Sequence, residues 1–72
     1  MNISEILGKG VLDRNANNVG KVIDIDISLS PWTINHFIVK MGITKKLPIG
    51  IEKVDKIGDK VILKVTKEEL GI

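Results

Sequence analysis

The chain has 72 residues, no cysteine, one histidine and a net charge of +2. That is enough for one domain, residues 1–72, and it excludes a disulfide framework and a conventional Cys/His zinc site. No apolar run exceeds three residues (Phe37-Ile38-Val39 and Val61-Ile62-Leu63 are the longest), whereas a membrane-spanning helix needs about 20.

A chain this short buries only about 60% of the surface its unfolded form exposes, so a partner subunit is the expected support. The opening MNISEILG lacks the basic start and long apolar centre of a secretory leader. With the absence of cysteine, this makes the cytoplasm the expected location. Charge is uneven. Residues 1–36 carry Lys9, Arg14 and Lys21 against four carboxylates, and residues 37–72 carry eight lysines against five. A solvated Lys/Glu surface accounts for this more simply than a nucleic-acid footprint, which is richer in charge and arginine.

In chain order, KGVLD predicts a short strand and RNANN a turn, since Asn and Asp tolerate left-handed backbone and bond back to it. Gly20 marks a bulge or tight twist. The repeated Gly-Lys of Gly8-Lys9 and Gly20-Lys21 is not a phosphate-gripping loop. Such a loop requires Gly-x-x-x-x-Gly-Lys-Ser/Thr before a helix, and here Val22 follows Lys21 into a strand. Over 22–30, VIDIDISLS alternates strictly, with Ile23, Ile25, Ile27 and Leu29 on one face and Asp24, Asp26, Ser28 and Ser30 on the other.

Pro31 interrupts the pattern and predicts a loop over residues 30–33. INHFIVKM follows as a strand, with Phe37, Val39 and Met41 facing inward and Ile34 and Ile38 flanking His36 on the outside. KLPIGIE alternates at Leu47, Ile49 and Ile51, and its Pro48 and Gly50 suit an edge or kinked strand. KIGDK predicts a turn, and KVILKV a last strand with Val61, Leu63 and Val65 on one face and Ile62 on the other. TKEELGI has Thr66 and Glu69 at capping-box spacing and Gly71 as a stop, so one helical turn is expected there. The fold class is all-β: a small antiparallel β-barrel of five or six strands, with at most a short C-terminal helical turn.

Little in this pattern points to chemistry. Asp24 and Asp26 share a strand face about 7 Å apart, too few oxygens for a hard cation, and are read as a solvated face. His36 has no nucleophile placed beside it by any spacing in the chain, so no catalytic residue is expected. Trp32 is read as a plug for one barrel end ahead of an anchor for a partner. The lysines Lys45, Lys46, Lys53, Lys56, Lys60 and Lys64 could meet phosphates. Single-stranded nucleic acid also needs aromatic stacking, however, and RNA is not favoured. The expected interface is an outward apolar patch of Ile34, His36 and Ile38, joined by Ile62, Val22 and Trp32. Its expected occupants are a second copy of the chain, another protein, or both. No cofactor, metal, small-molecule substrate or membrane insertion is expected.

The order of these signals resembles the PRC-barrel family, in its free-standing short archaeal form. GKGVLDRNANNVGKVIDIDIS is similar to the family's opening, LPIGIEKVDKIGDKVIL to its second half, and WTINHFIVKMG sits where the central strand belongs; the likeness spans about residues 5–66. The resemblance implies a small all-β barrel without a catalytic constellation. Family members occur in the photosynthetic reaction-centre H subunit, in RimM-type ribosome maturation factors, and as free-standing archaeal proteins, some of them cell-division adaptors. With the dimer expected from the short chain and its outward patch, the function expected is a non-enzymatic adaptor module, and the resemblance adds a link to archaeal cell division. The alternative is an RNA-linked factor in ribosome or RNA maturation.

Overall fold

In the computed structural model, which describes all 72 residues, the first element is a helical turn, α1 (Ile3–Ile6). Asn2 caps it, accepting the Glu5 amide at 3.2 Å while the Glu5 carboxylate accepts the Asn2 amide at 2.9 Å. These reciprocal bonds satisfy two otherwise orphaned donors, and Ile6 is the one residue the turn buries. The sequence pattern predicts no helix here, because four residues are too few to show a 3.6-residue period.

Six strands follow: β1 (Gly10–Leu12), β2 (Asn18–Leu29), β3 (Trp32–Met41), β4 (Lys45–Gly50), β5 (Val54–Ile57) and β6 (Val61–Leu63). They form one sheet in the order β4-β3-β2-β1-β6-β5, curled as a half-barrel around Val11, Val22, Phe37, Val39, Ile49, Val61 and Leu63. Every neighbouring pair is antiparallel except β1–β6, which runs parallel with Val11 beside Val61 and Leu12 beside Ile62. A parallel pair needs a crossover of a dozen residues or more, and here β2 to β5 supply it. β4 is an edge strand, as Pro48 implies. β5 is the other edge. It takes in Lys56 and Ile57, which the sequence assigns to a turn, because Val54 and Ile57 pair with Leu63 and Val61 and pack against the core. No helix is long and apolar enough to cross a membrane.

Two bulges reset the alternation of the long hairpin. Val22 pairs with Val39 and Asp24 with Ile38, leaving Ile23 unmatched. A bulged residue breaks the two-residue period, so Val22 enters the core while Ile23 turns to solvent. This corrects the outward placement of Val22, which is completely buried. Further along, Asp26 pairs with His36 and Ile27 with Ile34, leaving Asn35 unmatched. Ile34 is thereby carried to the inner face, where it packs against the core cluster, and leaves the face of His36 and Ile38. Gly20 sits opposite Val11 at a third irregularity. A β-carbon there would lie 2.2 Å from the Lys40 carbonyl oxygen, so only glycine permits this approach of β2 to β3.

The β1–β2 turn is organised by Asp13, which is completely buried. Its carboxylate accepts the amides of Asn15 at 2.9 Å, Asn17 at 2.8 Å and, from the C-terminal segment, Lys67 at 3.0 Å. The left-handed residue between them is Ala16, φ 65°, not one of the asparagines. The two amides bonded on either side hold it there. Burial pushes the Asp13 pKa up, but the bonds from Asn17, Lys67 and Asn15 outweigh it and hold the group below its ordinary value. The C-terminal turn forms as its spacing predicts: Thr66 and Glu69 exchange capping bonds of 3.2 Å, and Gly71 closes it at φ 82°.

Candidate interaction surface on the long hairpin

β2 and β3 have 12 and 10 residues, whereas β1 and β6 have three each. β1 covers β2 only over Asn18–Lys21, and β4 covers β3 only over His36–Met41. Two bonds between Val22 and the Gly8–Lys9 segment extend the first contact by one residue. Beyond that, Ile23–Leu29 of β2 and Trp32–Asn35 of β3 have no further strand beside them. Asp24, Ile25 and Asp26 still face the β4-covered Ile38, Phe37 and His36, so the pairs Ile27–Ile34, Ser28–Thr33 and Leu29–Trp32 alone are open on both edges. The end of the hairpin is a two-stranded arm with an open backbone edge on each side, and an isolated pair of strands is marginal in water.

The arm's inner face continues the apolar stripe of the core past the point where the sheet can cover it. Ile25, opposite Phe37, still packs on the core. In the next pairs Ile34 still touches the core, but its partner Ile27 and the pair Leu29 with Trp32 lie outside it. Ile27 is 41% exposed, Leu29 64% and Trp32 78%. Ile3 of α1, 49% exposed, approaches from the side, and with Ile27, Trp32, Thr33 and Ile34 it lines a groove of 250 Å³. None of these side chains is charged. Trp32 is therefore no plug: its partner across the turn is Leu29, and the strands run to within two residues of each other at Ser30 and Pro31, replacing the loop expected over 30–33.

The arm's outer face is polar. His36 Nδ1 lies 3.2 Å from Asp26 Oδ2, an exposed pair across the strands. Asp24 accepts the amide of its neighbour Ile25 at 2.8 Å, so the two aspartates are engaged separately. No three carboxylate or imidazole groups converge as metal ligands. Ser28 Oγ accepts from Asn35 Nδ2 at 2.7 Å.

The six residues expected at an interface are thus not one surface. His36 and Ile38 share the outer face, with Ile38 half-buried between Asp24 and Pro48. Ile62 is three strand spacings away, about 14 Å. Val22 is core, and Ile34 and Trp32 belong to the arm's inner face with Ile3, Ile27 and Leu29. Those last three were readable only through strand length: an alternating stripe predicts a buried face, and it takes the three-residue neighbours to show that the stripe outruns its cover.

The family follows from the whole of this architecture. A sequence model of the PRC-barrel domain matches residues 1–70. The chain belongs to the PRC-barrel family. Comparison with curated proteins gives no match. The half-barrel, the long β2–β3 hairpin and the closing β5–β6 hairpin are together this PRC-barrel domain, and the match runs through both of its terminal turns.

Proposed function

We propose that this PRC-barrel domain is a non-enzymatic protein-interaction module that pairs with a second copy of itself through the inner face of its hairpin arm. One observation carries the reading: a two-stranded arm with both edges open and an uncharged apolar face exposes Ile27, Leu29 and Trp32 to water. Open strand edges and apolar patches mark association sites. A second copy suits the face, because a two-fold axis sets the strip against itself with no like-charge penalty. It would also extend the nine-residue apolar core of a small chain. The paired domain then acts as an adaptor, holding two copies of whatever its remaining surface binds.

An RNA-linked role has less support. Of the two aromatics, Phe37 is 1% exposed, and Trp32 lies eight residues along β3 from Lys40, about 25 Å. Stacking and charge are therefore apart.

Sedimentation equilibrium of the wild type and of Trp32→Asp tests the proposal. The wild type is expected at twice 7.9 kDa and the variant at 7.9 kDa, with the same circular dichroism. A folded wild type that stays at 7.9 kDa throughout the micromolar range overturns self-association. Trp32-dependent capture of a different protein would then assign the arm to that partner.

A further inference from the structure

At the end of the sheet away from the arm, the outer face carries a different feature. Gly10, Lys21, Lys40 and Lys46 are directly paired in one row across β1, β2, β3 and β4. Directly opposed like charges on a sheet are destabilising, and here three lysines stand side by side with Cβ atoms about 5 Å apart. A fourth, Lys60, reaches over Gly10 from the β5–β6 turn. Its ammonium would lie 3.1 Å from a β-carbon at that glycine, so the absent side chain leaves room for the charge. The chain's two ion pairs are Met1–Glu5 and Asp26–His36, and neither involves these lysines. Asp59, next to Lys60 in the turn, forms no ion pair with it. Lys21, Lys40 and Lys60 border a concavity of 650 Å³ whose floor is largely glycine backbone and whose one apolar wall is Ile23.

We infer that this concavity binds a phosphate-bearing anion, held by Lys21, Lys40 and Lys60 with Lys46 at its margin. Uncompensated, adjacent ammonium groups are stabilised by an anion with several charged oxygens, and glycine backbone lets such a group approach closely. A floor with one apolar wall favours a phosphate group over an aromatic ring. The shared chemistry is an oligophosphate or a phosphorylated lipid headgroup, and the site lies on the face opposite the proposed dimer surface.

The test is titration of the ¹⁵N-labelled full chain with tripolyphosphate at constant ionic strength, beside the variants Lys40→Glu and Lys60→Glu. Saturable shifts centred on Gly10, Lys21 and Lys40 are expected, with affinity at least about tenfold lower in each variant. Melting temperature supplies an independent reading: Lys40→Glu is expected to melt no lower than the wild type, since it relieves repulsion. Flotation with vesicles containing a phosphoinositide separates the sources. Tripolyphosphate-competed binding assigns the lipid headgroup, and tripolyphosphate binding without flotation assigns a free ligand. Shifts that sodium chloride reproduces, shifts unchanged in both variants, or binding to an RNA oligomer alone would overturn the inference.

Discussion

At one end of the β2–β3 pair Val22 faces Val39, and both are buried; at the other end Leu29 faces Trp32, and both are exposed. The two pairs are alike in being apolar. What separates them is the chain alongside: the first lies between β4 and the Gly8–Lys9 segment that leads into β1, and the second has no neighbour on either edge. Alternation states which face of a strand is apolar, but the lengths of the adjacent strands decide how much of that face is covered. One hairpin thereby holds a core at its root and an uncovered apolar face at its tip.

Substitutions along the hairpin should divide accordingly. The largest loss is expected at the root, where Phe37→Ala should cost about 3–5 kcal/mol. A 72-residue domain has only roughly 4–11 kcal/mol to lose, so urea titration should find the midpoint of this variant far below that of the wild type. Gly20→Ala comes next, at about 1–3 kcal/mol, because its new methyl meets the Lys40 carbonyl and the Val39 side chain. A Gly20→Ala protein as stable as the wild type would show that β2 and β3 need not approach as closely as described.

Asp13→Asn should lower the melting temperature at neutral pH, because an amide cannot accept all the N–H groups that meet this carboxylate. The folded pKa of Asp13 lies below its unfolded value, so its stabilisation is fully present above about pH 4 and is lost as pH falls through the folded value. Melting curves of wild type and variant should therefore differ most at neutral pH and converge in strong acid. A constant gap across that range would mean that the charge of Asp13 is not what holds the Lys67 segment.

The smallest effects are expected on the arm and on the polar outer face next to it. Leu29→Ser and His36→Ala should each change the stability of the dilute, monomeric chain by no more than about 0.5 kcal/mol. Of these two, Leu29→Ser alone should weaken association. A loss above 1 kcal/mol in either would place the arm within the folding core and dissolve the contrast between root and tip.

Much of the fold is legible in the residues themselves. The strand at VIDIDISLS with its alternation from Asp24 onward, the turn at RNANN, the edge character of β4 and the capping pair Thr66 and Glu69 all appear where local chemistry puts them. Three features are not local. The parallel β1–β6 pairing depends on how the chain returns after some fifty residues. The bulges at Ile23 and Asn35 depend on a partner strand of different phase, and without them Val22 reads as outward and Ile34 as neighbour to His36. The carboxylate of Asp13 meets Lys67 across the whole sequence, and no spacing announces that. Of the candidate surface, the sequence marks Trp32 and Ile34 but reads Ile34 on the face of His36 and Trp32 first as a plug, and Ile3, Ile27 and Leu29 carry no mark of exposure until the short neighbouring strands are known.

Trp32 is the only tryptophan and there is no tyrosine, so intrinsic fluorescence reports on the arm alone. Emission followed over dilution from hundreds of micromolar to nanomolar is the most direct test of the central claim. The indole should emit to the blue when concentrated and move to the red of a solvated ring on dilution, along a monomer–dimer isotherm. Emission of a fully solvated indole at every concentration would contradict self-association through the arm.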